Sequence, residues 1–170
     1  MKYQERIQDM NKKVVDTINE QIKHELYSAY LYLSMSAHFE AAGFPGFAKW
    51  TRFQAEEEKE HAMKLFDFIN ERGERVVLQA IEQPPVEFDT PLAVFEEILK
   101  HEKLVTSLIN KCYAVAVEEK DYATQVMLHW FIEEQVEEES NAQAIVDKLA
   151  MAEGNKSALF HIDNMVGQRG

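Results

Sequence analysis

The sequence predicts an all-α fold: a four-helix bundle in up-down-down-up order, with one long crossover and a short fifth helix at the C-terminus. Three observations predict it. Apolar residues recur at steps of three and four through four long stretches, the period of one helix face. Glycine and proline fall almost entirely at the breaks between those stretches, where helices stop. One break, the middle one, is far longer than the others.

The elements follow in order. A first helix runs from about Asn11 to Ala42 and stops at Gly43-Phe44-Pro45-Gly46. A second runs from about Phe47 to Arg72 and ends at Gly73. A connection follows through Val76-Val77-Leu78 and Pro84-Pro85. Thr90-Pro91 reads as an N-cap and an N1 proline, opening a third helix that runs to about Glu119. Lys120-Asp121 marks a short turn, and a fourth helix runs to about Glu153, closed by Gly154. A short amphipathic helix covers about 157–166. Helices of about 30 residues span roughly 45 Å. Short links make the first and second helices antiparallel, and likewise the third and fourth. The middle connection, about 17 residues, reaches past about 50 Å. It is long enough to run the length of the bundle, which makes the second and third helices parallel. The chain reads as a single domain over 1–170, with the bundle at about 11–153, and no internal repeat is present.

Composition narrows the function. An apolar fraction of 46% argues against disorder. No apolar run approaches the roughly 20 residues of a membrane span. Met1-Lys2-Tyr3-Gln4-Glu5 is polar, and no signal-peptide h-region follows it. Cys112 is the one cysteine, so there is neither a disulfide framework nor a CxxC motif. The expectation is a cytoplasmic protein. A formal charge of −12 disfavours nucleic acid as a partner and favours attraction of cations.

The inward seams carry the chemistry. In the first helix the seam reads Ile18, Ile22, Glu25, Ala29, Tyr32, Ser36, Phe39. The second gives Phe47, Thr51, Gln54, Glu58, His61, Leu65, Phe68. The third gives Phe95, Ile98, Glu102, Val105, Ile109, Cys112, Ala116, and the fourth Leu128, Phe131, Gln135, Glu138, Ala142, Ile145, Leu149. A carboxylate interrupts every seam near its midpoint, and in a bundle of equal helices the midpoints share one layer. Glu25, Glu58, His61, Glu102, Gln135 and Glu138 are therefore expected to meet in the core. Buried carboxylates without partners are costly, and no Lys or Arg occupies a seam position. The two escapes are protonation and metal binding. Four negative charges balance two divalent cations. Glu58-x-x-His61 places carboxylate and imidazole on one helical face, and oxygen with imidazole ligation suits iron. Taken alone, an ExxH in a Glu-rich helix is a solvated face, and the runs Glu56-Glu57-Glu58 and Glu137-Glu138-Glu139 read as surface charge. Four interruptions at matched heights are what favour metal. Tyr32, two turns from Glu25 on the same seam, reads as a core tyrosine with room for a role beside the metals.

The chain resembles the non-haem ferritins of bacteria and archaea over nearly its whole length. The stretches that carry the resemblance are residues 19–32, NEQIKHELYSAYLY, together with Glu57-Glu58-Lys59-Glu60-His61, Lys100-His101-Glu102 and residues 133–139, EEQVEEE. The resemblance implies a ferritin-like bundle whose first iron site is Glu25, Glu58 and His61. Glu58 bridges to a second iron, where Glu102 is a ligand and Gln135 positions water or oxygen. Tyr32 matches a tyrosine beside the centre. Glu57, Glu134, Glu137 and Glu138 match a third, accessory iron site nearer the cavity. The implied function is oxidation of Fe(II) by O2 or H2O2 and storage of the ferric mineral in a shell of 24 identical subunits.

Two departures qualify the resemblance. Bacterioferritins carry a second ExxH on the fourth helix, whereas Glu134-Gln135-Val136-Glu137 has no histidine; haem is accordingly not expected. Animal heavy chains have acidic channel residues where Gln125 and Leu128 stand here, so their iron entry route does not carry over. The alternative among enzymes is a rubrerythrin-like di-iron peroxidase, whose CxxC module a single cysteine cannot supply. A DNA-binding mini-ferritin lacks this ligand set. The short C-terminal helix, with Leu159, Phe160, Ile162, Met165 and Val166, is expected to be an assembly element, since three turns are not stable alone.

Overall fold

The computed structural model describes residues 10–168; the polar start of the chain lies outside the described residues. Among the described residues five helices are formed: α1, Lys12–Ala42; α2, Pro45–Glu71; α3, Pro91–Glu118; α4, Tyr122–Met151; and α5, Lys156–Val166. Four starts obey the capping chemistry, α5 among them, where Asn155 Oδ1 accepts from Ala158 N at 3.1 Å. Asn11, Thr90 and Asp121 each turn a side-chain oxygen onto a backbone N–H of the first turn, at 2.8, 3.2 and 3.0 Å. Gly43, at φ 80°, ends α1 in the left-handed region.

The start of α2 departs from the sequence reading. Pro45 belongs to the helix at N1 rather than to the break before it. Phe44, at the N-cap, offers no side-chain acceptor. The acceptor comes instead from α5: buried Asp163 takes hydrogen bonds from Gly46 N at 3.2 Å and Phe47 N at 2.8 Å. The approach is so close that a Cβ on Gly46 would lie 1.8 Å from the Asp163 carbonyl oxygen. α5 is therefore docked within its own subunit, with Ile162 and Val166 buried in the core, while Phe160 points out at 61% exposure. α5 thus supplies part of the core of its own bundle.

Side-chain contacts fix the topology as up-down-down-up. α1 meets α2 through Ser36 and Ala48 and meets α3 through Ser28 and His101. α3 meets α4 through Glu102 and Gln135. Arg72, at the end of α2, makes a bidentate pair with Asp121 at the start of α4, at 2.9 and 3.2 Å. Residues 72–90 form the crossover strap, which lies along α1. Val77 N donates to Asn19 Oδ1 at 2.8 Å, Pro85 O accepts from Ser34 Oγ at 2.6 Å, and Phe88 packs on His38. From Asn19 to His38 is roughly 28 Å of helix, covered by one extended run.

The apolar core is split in two. One half, around Phe39, Phe47, Trp50 and Phe95, fills the end nearest α5. The other, around Ile18, Ile22, Leu65, Ile109 and Phe131, fills the opposite end. Between them lies a polar waist. The seams on α3 and α4 are buried at every expected position, but on α1 Ser28 replaces half-buried Ala29 and on α2 Ile69 replaces half-buried Phe68. On α2 the shift follows the drift of a straight helix, at 3.6 residues per turn, from a strict heptad; on α1 it runs the opposite way, beside Glu25.

Candidate metal centre

The waist brings the sequence-selected residues to one level. Glu25, Glu58 and His61 each have a ligand-type atom within 4.8 Å of the others, and all three are buried. Glu58 Oε2 lies 3.5 Å from His61 Nδ1, as the i, i+3 spacing predicts. His61 is wedged edge-on against Trp130 at 5.2 Å and Phe131 at 6.1 Å, which limits rotation of its ring. Glu25 Oε2 and Glu58 Oε2 are buried with no hydrogen-bond partner. Buried polar atoms are nearly always paired, and two orphaned carboxylate oxygens in one trio fit a cation.

A second group forms on the α3–α4 side. The Tyr32 hydroxyl donates to Glu102 Oε1 across the core. Gln135 Nε2 donates to Glu102 Oε2 and to the Glu102 carbonyl, both at 3.2 Å. A third group joins His61, Glu134 and Glu138 within 4.8 Å, with Glu134 half-buried. Of the residues expected at an accessory site, Glu57 lines a cleft of about 440 Å³ with Glu134, His61 and Trp130. Glu137 is exposed and in neither trio.

Electrostatics at the waist run against ionisation. Burial, then the neighbouring Glu58 charge, pushes the Glu25 carboxyl well above the usual carboxylate range. Burial, then Glu102, does the same to Glu58. Burial also raises Glu102, against the hydrogen bonds from Tyr32 and Gln135 that favour its charged form. Burial and the Glu102 charge raise the Tyr32 phenol, which stays a donor. Burial and mutual repulsion thus favour the protonated form of these carboxyls, and a binding cation competes with their protons. The donor set is oxygen with one imidazole. The one thiol, Cys112, is pushed up to about 12 by burial and is not a thiolate.

Gln54 stands on the α2 seam, whereas Gln21, Ser28 and His101 carried no signal in the seam pattern. Gln21 and Gln54 each donate to a waist carboxylate, at 2.8 Å to Glu25 and 2.8 Å to Glu138. Ser28 lies 2.7 Å from His101 Nε2, and His101 packs edge-on against Tyr32. Gln21 and Gln54 sit one turn before Glu25 and Glu58, a spacing that could have singled them out.

A four-helix bundle with a lengthwise crossover and a carboxylate–histidine waist defines the class of bundle proteins that hold metal between their helices. The profile of the ferritin-like domain matches residues 15–152, and the chain belongs to the ferritin family. It is 44% identical to a bacterial non-heme ferritin of Bacteroides fragilis, over 94% of this chain and 99% of that one. It is 42% identical to a probable bacterial non-heme ferritin-like protein of Haemophilus influenzae, over 93% and 96%. Among solved structures, an open pore ferritin from the archaeon Archaeoglobus fulgidus superposes with a TM-score of 0.94 at 48% identity, covering 95% of this chain and 98% of that one. An engineered closed form of the same ferritin gives 0.94 at 47%, covering 95% and 99%.

Proposed function

We propose that this chain is the subunit of an iron-storage shell that binds Fe(II) in the bundle waist, oxidises it and retains the ferric product. The observation that carries the reading is the trio of Glu25, Glu58 and His61 with its two orphaned oxygens. Iron is the substrate here. Glu25, Glu58 and His61 hold one ion; Glu58 reaches to a second, with Glu102 as ligand and Gln135 beside it. Glu138, Glu134, Glu57 and Glu137 form the path of an accessory ion toward the cavity. Two Fe(II) ions give up one electron each, and O2 with two protons becomes H2O2, or H2O2 with two protons becomes two waters. The four glutamates bear the charge of the ions. Tyr32 keeps its proton and holds one oxygen of Glu102 in place. The work is done in a homo-oligomer, with 24 subunits as the expected shell, in the cytoplasm. Among the described residues no helix is long and apolar enough to cross a membrane.

Stopped-flow mixing of the metal-free protein with Fe(II) and O2 tests the assignment. Replacing Glu58 and His61 together by Ala should remove the fast phase of oxidation while the oligomer stays assembled. Unchanged kinetics in that variant would overturn the reading.

A further inference from the structure

The waist buries four carboxylates, and no lysine or arginine reaches them from the seams. Their hydrogen-bond donors include the side-chain amides of three glutamines. Gln21 Nε2 donates to Glu25 Oε1 at 2.8 Å, Gln54 Nε2 to Glu138 Oε2 at 2.8 Å, and Gln135 Nε2 to Glu102 Oε2 at 3.2 Å. Gln21 and Gln54 are 1% and 0% exposed. An ammonium or guanidinium in their place would cancel the charge that a cation needs. A neutral amide orients the carboxylate and leaves its charge intact.

The geometry also leaves a ligand free. Gln21 occupies Oε1 of Glu25, and Oε2, the buried atom without a hydrogen bond, is the one left for the trio. The amide is itself aimed. Its carbonyl oxygen faces the Cys112 thiol, 3.8 Å away, and a protonated thiol is a weak donor. The NH2 end is therefore the end that meets Glu25. Gln54 differs in reach: it stands on α2 and crosses to Glu138 on α4, a member of the other trio.

We propose that Gln21 and Gln54 are positioning residues that serve different metal positions. Gln21 orients Glu25 for the trio with Glu58 and His61, and Gln54 holds Glu138 for the trio with His61 and Glu134. This inference rests on the metal-binding reading above.

The test uses Co(II), which does not undergo the oxidation, in the intact assembled protein. Calorimetric titration gives affinity, and anomalous diffraction at the cobalt edge gives position. Gln21→Met keeps an unbranched side chain of similar size and removes the donor. It should weaken binding at the Glu25 trio by about 10- to 100-fold, the usual effect of losing a ligand's supporting hydrogen bond. The two trios share His61, so occupancy at the Glu134–Glu138 trio should hold or rise. Gln54→Met should give the reverse pattern. Leu variants at both positions serve if either Met variant does not fold. A purely structural role would lower the melting temperature without favouring one position. Equal loss at both positions, or wild-type affinity in both variants, would overturn the assignment while leaving the metal reading intact. Absence of cobalt from both trios in the unsubstituted protein would overturn the metal reading and this inference with it.

Discussion

The junction of α5 with α2 and the waist of the bundle bury carboxylates to the same depth: Asp163 and Glu25 are each 1% exposed. Their surroundings differ. Asp163 accepts from two backbone N–H groups at a helix N-terminus, the positive end of the helix dipole. Glu25 has one neutral amide donor on one oxygen, nothing on the other, and Glu58 as its neighbour. One carboxylate is satisfied by the fold and fastens it. The other is left unsatisfied by the fold. Burial alone therefore does not mark a functional carboxylate; the inventory of its donors does.

The comparison can be broken at either end. The largest expected effect is at the junction. Asp163→Ala orphans the two buried N–H groups of α2 and should cost about 2–3 kcal/mol, the range for lost caps and charged hydrogen bonds. Glu58→Gln should do the opposite in the metal-free protein, raising stability by roughly 1 kcal/mol, because a buried amide escapes first the cost of desolvating a charge and then the repulsion from Glu102. The second effect depends on pH. Glu58 in the native state holds its proton above the ordinary value of 4.5, so the native protein binds more protons than the unfolded chain in that window. Native stability is thus lost as pH rises through it. The gain from Glu58→Gln should be large near neutral pH and vanish as pH falls toward 4.5. Calorimetric melting of both variants against wild type over that range checks the pair.

His101 sharpens the contrast from the flank of the waist. Burial, then the nearby His24, pulls it down to about 4 from 6.5. Between those values the unfolded chain takes up a proton that native His101 refuses. Its contribution to stability is therefore lost as pH falls, opposite in sign to that of Glu58. Among these effects it is the smallest to observe directly. NMR of the histidine ring should show no titration of His101 until about pH 4, and a midpoint near 6.5 would show that the ring is not shielded by the strap and α1.

Much of this was legible in the sequence. Carboxylates at matched midpoints of four seams predicted that Glu25, Glu58, Glu102 and Glu138 share one level, because helix spacing and bundle register are set by local rules. The proline and glycine breaks placed the helix ends, apart from Pro45, where N1 proline and break proline look alike in a sequence. What was not legible depends on tertiary partners. Asp163 reads as the polar face of a short amphipathic helix until the uncapped start of α2 is placed beside it. Gln21 lies one residue off the α1 seam and reads as surface. Glu134 and Glu138 pair with His61 rather than with Glu137, since side chains four apart on α4 face His61 and residue 137 turns outward.

The central claim is that the waist is unsatisfied because it is built to take divalent cations. Melting of the metal-free protein with and without saturating Co(II) tests it most directly, because a ligand that binds only the native state must raise its stability. The account predicts a clear rise in melting temperature for the unsubstituted chain and an equal rise for Asp163→Ala, whose lesion is elsewhere. It predicts little or no rise for the variant with Glu58 and His61 replaced by Ala. No rise in the unsubstituted chain, or an undiminished rise in that double variant, would contradict it.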